Sequence, residues 1–234
     1  MKITGSIVLY NNDRQILLEA IQSYLNSEIV DKLYLVDNSP TDDLKNLEEL
    51  DSRIEYIFNP SNPGFGAAHN IAIKNAIKRD SQYHLVLNPD VYYDNGVIET
   101  ISDYIKDKPE IGNIMPKVLY PNGEIQYLCK LLPTPYDWIG RRFNPFKKMV
   151  ESRNNLFELR FTNYSTIMEV PYLSGCFMFL NIDALKKVGF FDEGIFMYGE
   201  ETDLCRRLND GGYKTLFFPK ATIFHHFEKG SHKS

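Results

Sequence analysis

Six short stretches of this sequence carry side chains suited to holding phosphate, metal or a reacting hydroxyl. In LYNN (9–12), Tyr10 offers an aromatic face that could stack on a nucleobase for about 1–3 kcal/mol, or could simply close a strand. In VDNSPTDD (36–43), Asp37 could accept the N3–H of uracil or thymine, although Asp-Asn-Ser-Pro is also ordinary turn chemistry. NPGFGAAHN (62–70) sets Gly64 and Gly66 before a helix, where backbone can approach closely and free N–H groups can meet an anion. That stretch has neither dinucleotide-fingerprint spacing nor the Lys-Ser/Thr of a phosphate loop, which disfavours both classes.

The other three stretches are richer in metal-binding and acid–base groups. LNPDVYYD (87–94) presents Asp90 just after an apolar run, as a strand-ending turn or as an oxygen ligand for Mg²⁺ or Mn²⁺ shared with phosphates. FMYGEETDLCRRL (196–208) crowds Glu200, Glu201 and Asp203 into the first turn of a helix. The helix dipole accounts for Glu200 there, and Asp203 can pair with Arg206 or Arg207. One of the acids could still serve as a general base. Last comes His225-His226, followed by Lys229, Ser231 and His232; an imidazole can join a Mn²⁺ shell, and a basic tail suits a diphosphate.

The elements that must position these groups alternate. Strands are expected at Ile3–Tyr10, Lys32–Val36, Ile54–Phe58 and His84–Leu87. Helices are expected after Asn12 and Asp13, with Ile16, Leu17, Ala20, Ile21, Tyr24 and Leu25 on one face, then over Ala67–Lys78 and Gly96–Lys106. Such alternation implies an α/β fold with a mostly parallel central sheet flanked by helices, and right-handed crossovers place the loops after the strands along one edge. The unusual residues fall in those loops. Beyond Ile114 the pattern changes: Pro121-Asn122-Gly123 reads as a hairpin turn between Lys117–Tyr120 and Glu124–Tyr127, and Leu131–Ser165 as irregular. Apolar structure resumes at Val170–Leu180, with short helices at Ala184–Val188 and Glu200–Asn209 and a last strand at Lys214–Phe218. One domain over 1–234 is expected, divided into a nucleotide-binding half (1–115) and an acceptor-binding half (116–234).

Composition narrows the class. The chain has 234 residues, 43% hydrophobic and 24% charged, with a net charge of −5, which argues against nucleic-acid binding. Cys129, Cys176 and Cys205 show neither metal spacing nor a disulfide framework, so a reducing cytoplasm is the expected setting. No run approaches the ~18 apolar residues of a spanning helix and no targeting segment is expected, so membrane contact would be peripheral, at the inner face. Residues 131–151 hold Trp138, Arg141, Arg142, Phe143, Phe146, Lys147 and Lys148, an aromatic and basic segment that could meet an anionic bilayer or form a plain surface loop.

LYNN, VDNSPTDD, NPGFGAAHN, LNPDV, SGCFMF (174–179), FFDEGIFMYGEETDL (190–204) and the His-containing tail stand in the order seen in family-2 glycosyltransferases. The sequence resembles the bacterial rhamnosyltransferase-like members, over nearly all its length and least over 129–169. The resemblance implies the GT-A nucleotide-diphospho-sugar transferase fold and an inverting, metal-dependent transfer from a dTDP- or UDP-sugar to a saccharide or lipid-linked saccharide. It implies that Tyr10 and Asp37 hold the base, and that Asn38, Gly64, Gly66 and Asn70 lie near ribose and diphosphate. LNPDV stands at the family's Asp-x-Asp motif with Asn88 for the first Asp, which makes Asp90 the metal carboxylate. Glu200-Glu201 stands at the Glu-Asp motif, so Glu201 inherits the base role with Asp203 as rival. The family's late His falls on His225, with His226 as alternative. A sugar-phosphate nucleotidyltransferase would need a Gly-rich loop with Arg and Lys after the first strand, which LYNN lacks. The Asn88 and Glu201 departures leave a catalytically silent nucleotide- or glycan-binding module as the other reading.

Overall fold

The computed structural model describes residues 1–137 and 146–226. Trp138, Arg141, Arg142 and Phe143 lie outside them, as do Phe227, Lys229, Ser231 and His232. The chain runs β1 (Ile3–Leu9), α1 (Arg14–Leu25), β2 (Val30–Asp37), β3 (Ile54–Phe58), α2 (Phe65–Lys78), β4 (Tyr83–Leu87), β5 (Val91–Tyr92), α3 (Val97–Ile105) and β6 (Ile111–Leu119). It continues through β7 (Cys129–Lys130), α4 (Lys147–Phe157), β8 (Met168–Glu169), β9 (Tyr172–Leu173), β10 (Phe177–Asn181), α5 (Ile182–Val188), α6 (Glu200–Asp210) and β11 (Lys214–His225).

Among the described residues the main sheet has the order β3-β2-β1-β4-β10-β6-β11-β5, with β8 on β11. It is mostly parallel, with β10 running antiparallel between β4 and β6. Strand alternation decides which face each helix covers. On one face Ile3, Ile7 and Leu9 of β1 pack with Leu17, Ala20 and Ile21 of α1, whose first turn is capped by the Asp13 carboxylate. On the other, Tyr34 and Val36 of β2 pack with Ala68 and Ala72 of α2. Sequence order turns back across β1, with β2 and β3 to one side and β4 to the other. That reversal opens a crevice at the carboxyl ends of the strands.

Three expectations change. The Pro121–Gly123 turn forms, with Gly123 N–H donating to the Tyr120 carbonyl at 2.9 Å, but its second arm adds only a Leu119–Ile125 bridge. Its first arm is the end of β6, already paired along one edge with β11. The stretch expected to be irregular holds α4, which is anchored by an Arg153–Asp137 ion pair and by buried Phe157. It has no inward apolar stripe, so its helical period was not visible. The last strand runs past Phe218: its register shifts across Pro219 and resumes at Thr222 opposite Lys117, which carries pairing as far as His225.

The β1–β4–α2 layer is polar inside. Thr4 Oγ1 meets His84 Nδ1 at 2.9 Å, His84 Nε2 meets Ser6 Oγ at 2.8 Å, and Ser6 Oγ meets His69 Nδ1 at 2.7 Å, all buried. Burial holds His69 well below the ordinary imidazole range and His84 at about 3. Both rings stay neutral in the fold while the unfolded chain takes up protons near pH 6.5. Their contribution is therefore complete above that value and is lost as pH falls toward the folded pKa. Urea unfolding should show stability dropping between pH 6.5 and 5 by up to about 1.4 kcal/mol per pH unit for each ring, offset in part by buried Glu200, whose raised carboxyl takes up its proton in the fold over the same range.

Candidate active site

Register brings the strand-end residues onto one edge. Leu9 pairs with Asp37, Ile7 with Leu87 and Asp37 with Phe58, so Tyr10, Asn38, Asn59 and Asn88 all emerge on the same side. β10 arrives from the opposite direction with Phe177 facing Leu87, which puts Ser174–Cys176 at that edge too. Asn88 N–H donates to the Cys176 carbonyl at 2.9 Å, and Glu201 lies along Gly175, its Cβ 3.5 Å from where a side chain would begin. A two-residue step, Gly175-Cys176, thus connects the surroundings of Asp90 with those of Glu201.

On the nucleotide side, Tyr10 is 56% exposed, an open aromatic face. Asp37 is buried, its carboxylate accepting from Ser39 N–H at 2.9 Å and from the Tyr56 hydroxyl at 2.6 Å. Burial and that bond to Asp37 push the Tyr56 hydroxyl far up, so it stays a proton donor. Asn59 Nδ2 donates to Asn38 Oδ1 at 2.8 Å and fixes the neighbouring amide.

Gly64, Gly66 and Asn70 were expected to face ribose and diphosphate; their contacts are with the chain itself. Gly64 has φ +102°, and a Cβ there would lie 2.2 Å from the Phe196 carbonyl oxygen, which also accepts the Phe65 N–H at 3.0 Å. A Cβ on Gly66 would lie 2.8 Å from Phe191. Asn70 donates to the Phe191 carbonyl at 2.9 Å and to Glu193 at 3.0 Å, and accepts from Phe191 N–H at 3.1 Å. The close approach these glycines permit is therefore that of the 191–196 loop, which Asn70 clamps.

Asp90 and His225 meet. β5 follows Asp90 directly and pairs with the end of β11, Val91 opposite His225, and His226 N–H donates to the Asp90 carbonyl at 3.0 Å. His225 Nε2 lies 3.3 Å from Asp90 Oδ1, with the Asp90 side chain 30% exposed and the imidazole buried. Two ligands each about 2.1 Å from one ion at a right angle stand about 3 Å apart, so this oxygen–nitrogen pair fits one divalent cation. No group of three or more such ligands occurs among the described residues, so substrate oxygens or water would complete the shell. His226 turns away, its Nε2 3.2 Å from Glu19 and its ring against Tyr92.

The three acids of α6 have three different surroundings. Glu200 is buried beside Gly66, with Oε2 lacking a hydrogen-bond partner among the described residues, and burial pushes its carboxyl up to about 7. It is therefore no solvated cap on the helix dipole. Asp203 is gripped by Arg207 at 2.6 and 2.8 Å, whose guanidinium also donates to the Val188 and Phe190 carbonyls. Glu201 borders a cavity of about 230 Å³ together with Lys130, Phe157, Tyr172 and Tyr198. Its carboxylate accepts from the Tyr172 hydroxyl at 2.8 Å and from Gly199 N–H at 3.2 Å.

Residues 6–189 match the model of glycosyl transferase family 2. The chain belongs to that family. It is 28% identical over 143 residues to an N-acetylglucosaminyl-diphospho-decaprenol L-rhamnosyltransferase of Mycobacterium tuberculosis, over 61% of this chain and 46% of that protein. Rhamnosyltransferase WbbL of Escherichia coli is 25% identical, over 70% of this chain and 61% of its own length. This chain thus spans about half the length of the curated relatives it matches. Among solved structures, GalNAc-T7 with UDP, GalNAc and Mn²⁺ superposes with TM-score 0.74 at 15% identity, over the whole of this chain and 45% of that one. The fold is GT-A.

In this family-2 member, sequence inspection missed the residues that hold the others: Tyr56 on Asp37, Tyr172 on Glu201 and Gln126 on His225. None carries a motif, and each lies far along the chain from its partner or on another strand. No described helix is long and apolar enough to cross a membrane.

Two substitutions test these placements. Gly64→Ala forces a left-handed backbone on a residue with Cβ and drives it into the Phe196 carbonyl, so urea unfolding should register a loss of about 2–4 kcal/mol. Asp203→Asn should lower stability by only about 0.5–1 kcal/mol, through its half-exposed ion pair, and leave sugar transfer within a few-fold of the parent.

Proposed function

We propose that this chain transfers a sugar from a nucleoside diphosphate carrier, a dTDP- or UDP-sugar such as dTDP-rhamnose, to a saccharide or lipid-linked saccharide hydroxyl, with inversion at the anomeric carbon. The observation that carries the reading is the Asp90–His225 pair at the sheet edge that also bears Glu201 and its cavity. The names of the relatives, two of them rhamnosyltransferases, and the UDP and Mn²⁺ in a neighbour's structure support the same class.

Tyr10 would stack on the base, and Asp37, oriented by Tyr56 and Ser39, would accept its N3–H. Asn38 and Asn88 lie between base and metal ligands, near the ribose and diphosphate. Gly64, Gly66 and Asn70 act through the 191–196 loop they hold. Asp90 and His225 would hold Mn²⁺ or Mg²⁺, whose charge stabilises the departing diphosphate. Glu201 takes the proton of the acceptor hydroxyl in the 230 Å³ cavity, while the hydroxyl oxygen bonds to the anomeric carbon and the carbon–diphosphate bond breaks on the opposite face. Tyr172 and Gly199 each hold one carboxylate oxygen and leave a second lone pair on each for that proton. Asp203, held by Arg207, is the poorer base.

For a lipid-linked acceptor the reaction would take place at a bilayer. Phe146 and Met149 are 66% and 60% exposed, beside exposed Lys147 and Lys148, and support peripheral contact through that part of 131–151.

Nucleotide release from a panel of nucleotide sugars, with and without Mn²⁺, tests the class; a binding module would show no metal-stimulated release. Glu201→Gln should keep donor affinity by calorimetry and lose about 10²–10⁴ in transfer rate. Asp90→Ala should abolish the response to Mn²⁺. An active Glu201→Gln together with an inactive Asp203→Asn would move the base to Asp203.

A further inference from the structure

His225 faces Asp90 through Nε2, and its other ring nitrogen meets Gln126 Oε1 at 3.0 Å. Which nitrogen carries the proton of the neutral ring is decided at the far end of the glutamine. Gln126 Nε2 donates to the His225 carbonyl at 2.8 Å and to the Leu119 carbonyl at 3.4 Å. Backbone carbonyls only accept, so a flipped amide would set oxygen against oxygen twice, in a side chain 4% exposed. The amide oxygen must therefore point at Nδ1, and an oxygen there requires Nδ1–H. Nε2 then keeps its lone pair and directs it toward Asp90. A divalent cation beside both would accept that lone pair and the Asp90 carboxylate together, 3.3 Å apart.

We propose that Gln126 is the positioning residue that locks His225 in the Nδ1–H tautomer, so that Nε2 and Asp90 stand as a preformed nitrogen–oxygen pair for a divalent cation. This rests on the reading of Asp90 and His225 as metal ligands. It also gives the Pro121–Gly123 turn a purpose. By folding the chain back so that Gln126 N–H bonds the Val118 carbonyl at 2.9 Å, the turn delivers the amide to the end of β11. A metal-bound imidazole held this way resists rotation and is a stronger ligand, and loss of such an outer partner usually weakens metal binding by about 10–100-fold.

Two measurements on the full chain test it. Long-range proton–nitrogen NMR of the metal-free, ¹⁵N-histidine protein at mildly alkaline pH should show His225 as the Nδ1–H form; the Nε2–H form would overturn the proposal without any variant. Electron paramagnetic resonance titration of Mn²⁺ in the presence of UDP should show Gln126→Leu binding about 10–100-fold more weakly. The same NMR measurement on Gln126→Leu should show His225 losing the pure Nδ1–H form, a change that a merely structural role of Gln126 would not produce. If Gln126→Leu binds Mn²⁺ as the parent does while Asp90→Ala and His225→Ala bind weakly, the role of Gln126 is wrong and the metal pair stands. If Asp90→Ala and His225→Ala also bind unchanged, the metal pair itself is wrong and the proposal falls with it.

Discussion

The hydrogen bond from Asn88 N–H to the Cys176 carbonyl joins the end of β4 to the segment before β10, beside the residues proposed as metal ligand and base. It follows from register: β4 leaves the sheet at Leu87 and β10 enters opposite it at Phe177, so the residues beyond each strand end are neighbours. Asp90 lies two residues past Asn88, and Gly175, against Glu201, lies one residue before Cys176. A one-residue slip between β4 and β10 would exchange Phe177 and Phe179 with Met178 and Leu180 across two buried faces, setting side chains of the wrong shape against each.

The groups at this edge are rigid because their partners come from other elements. β3 supplies Tyr56 to Asp37, β9 supplies Tyr172 to Glu201, and α2 supplies Asn70 to the 191–193 loop. Each partner is itself buried or half-buried in packed structure, so the functional side chains are held by a shell that packing has already ordered. The buried histidine and hydroxyl chain beneath β1 belongs to the same economy of polar groups: every link joins a strand to its neighbour or to α2, and it fixes the layer on which Phe65 and the glycine turn rest.

The alternating half of the fold was legible in the sequence because β1, β2 and β4 are apolar runs and α1 and α2 carry apolar residues at helical spacing. What the sequence hid was structure held by polar contacts. Helix α4 depends on Arg153 and Asp137, and β11 continues through a proline that reads as an end. Asp37, Asp90, Glu201 and His225 could be picked out because they follow strands or open a helix. At the glycine turn a positive φ and a missing side chain say that something approaches closely, and in the fold the Phe196 carbonyl does so. Residue type signals the close approach and not the identity of what arrives.

The acids of α6 show how far neighbouring residues can diverge. Successive positions on a helix are separated by about 100°, so Glu200, Glu201 and Asp203 point three ways from a single turn. One direction leads into the packing against α2, where Glu200 Oε2 has no hydrogen-bond partner among the described residues and burial pushes the carboxyl up to about 7. Another leads along the helix to Arg207, where Asp203 closes a guanidinium that already bridges two carbonyls, and holds the loop after α5. Glu201 points to the cavity and meets the Tyr172 hydroxyl there, with a side chain one methylene longer than aspartate. The helix dipole acts on all three alike and cannot distinguish them. The rotation of the helix and the element packed on each face decide which acid is exposed to chemistry, so the departure from the family motif at 201 is matched by a partner placed for the longer side chain.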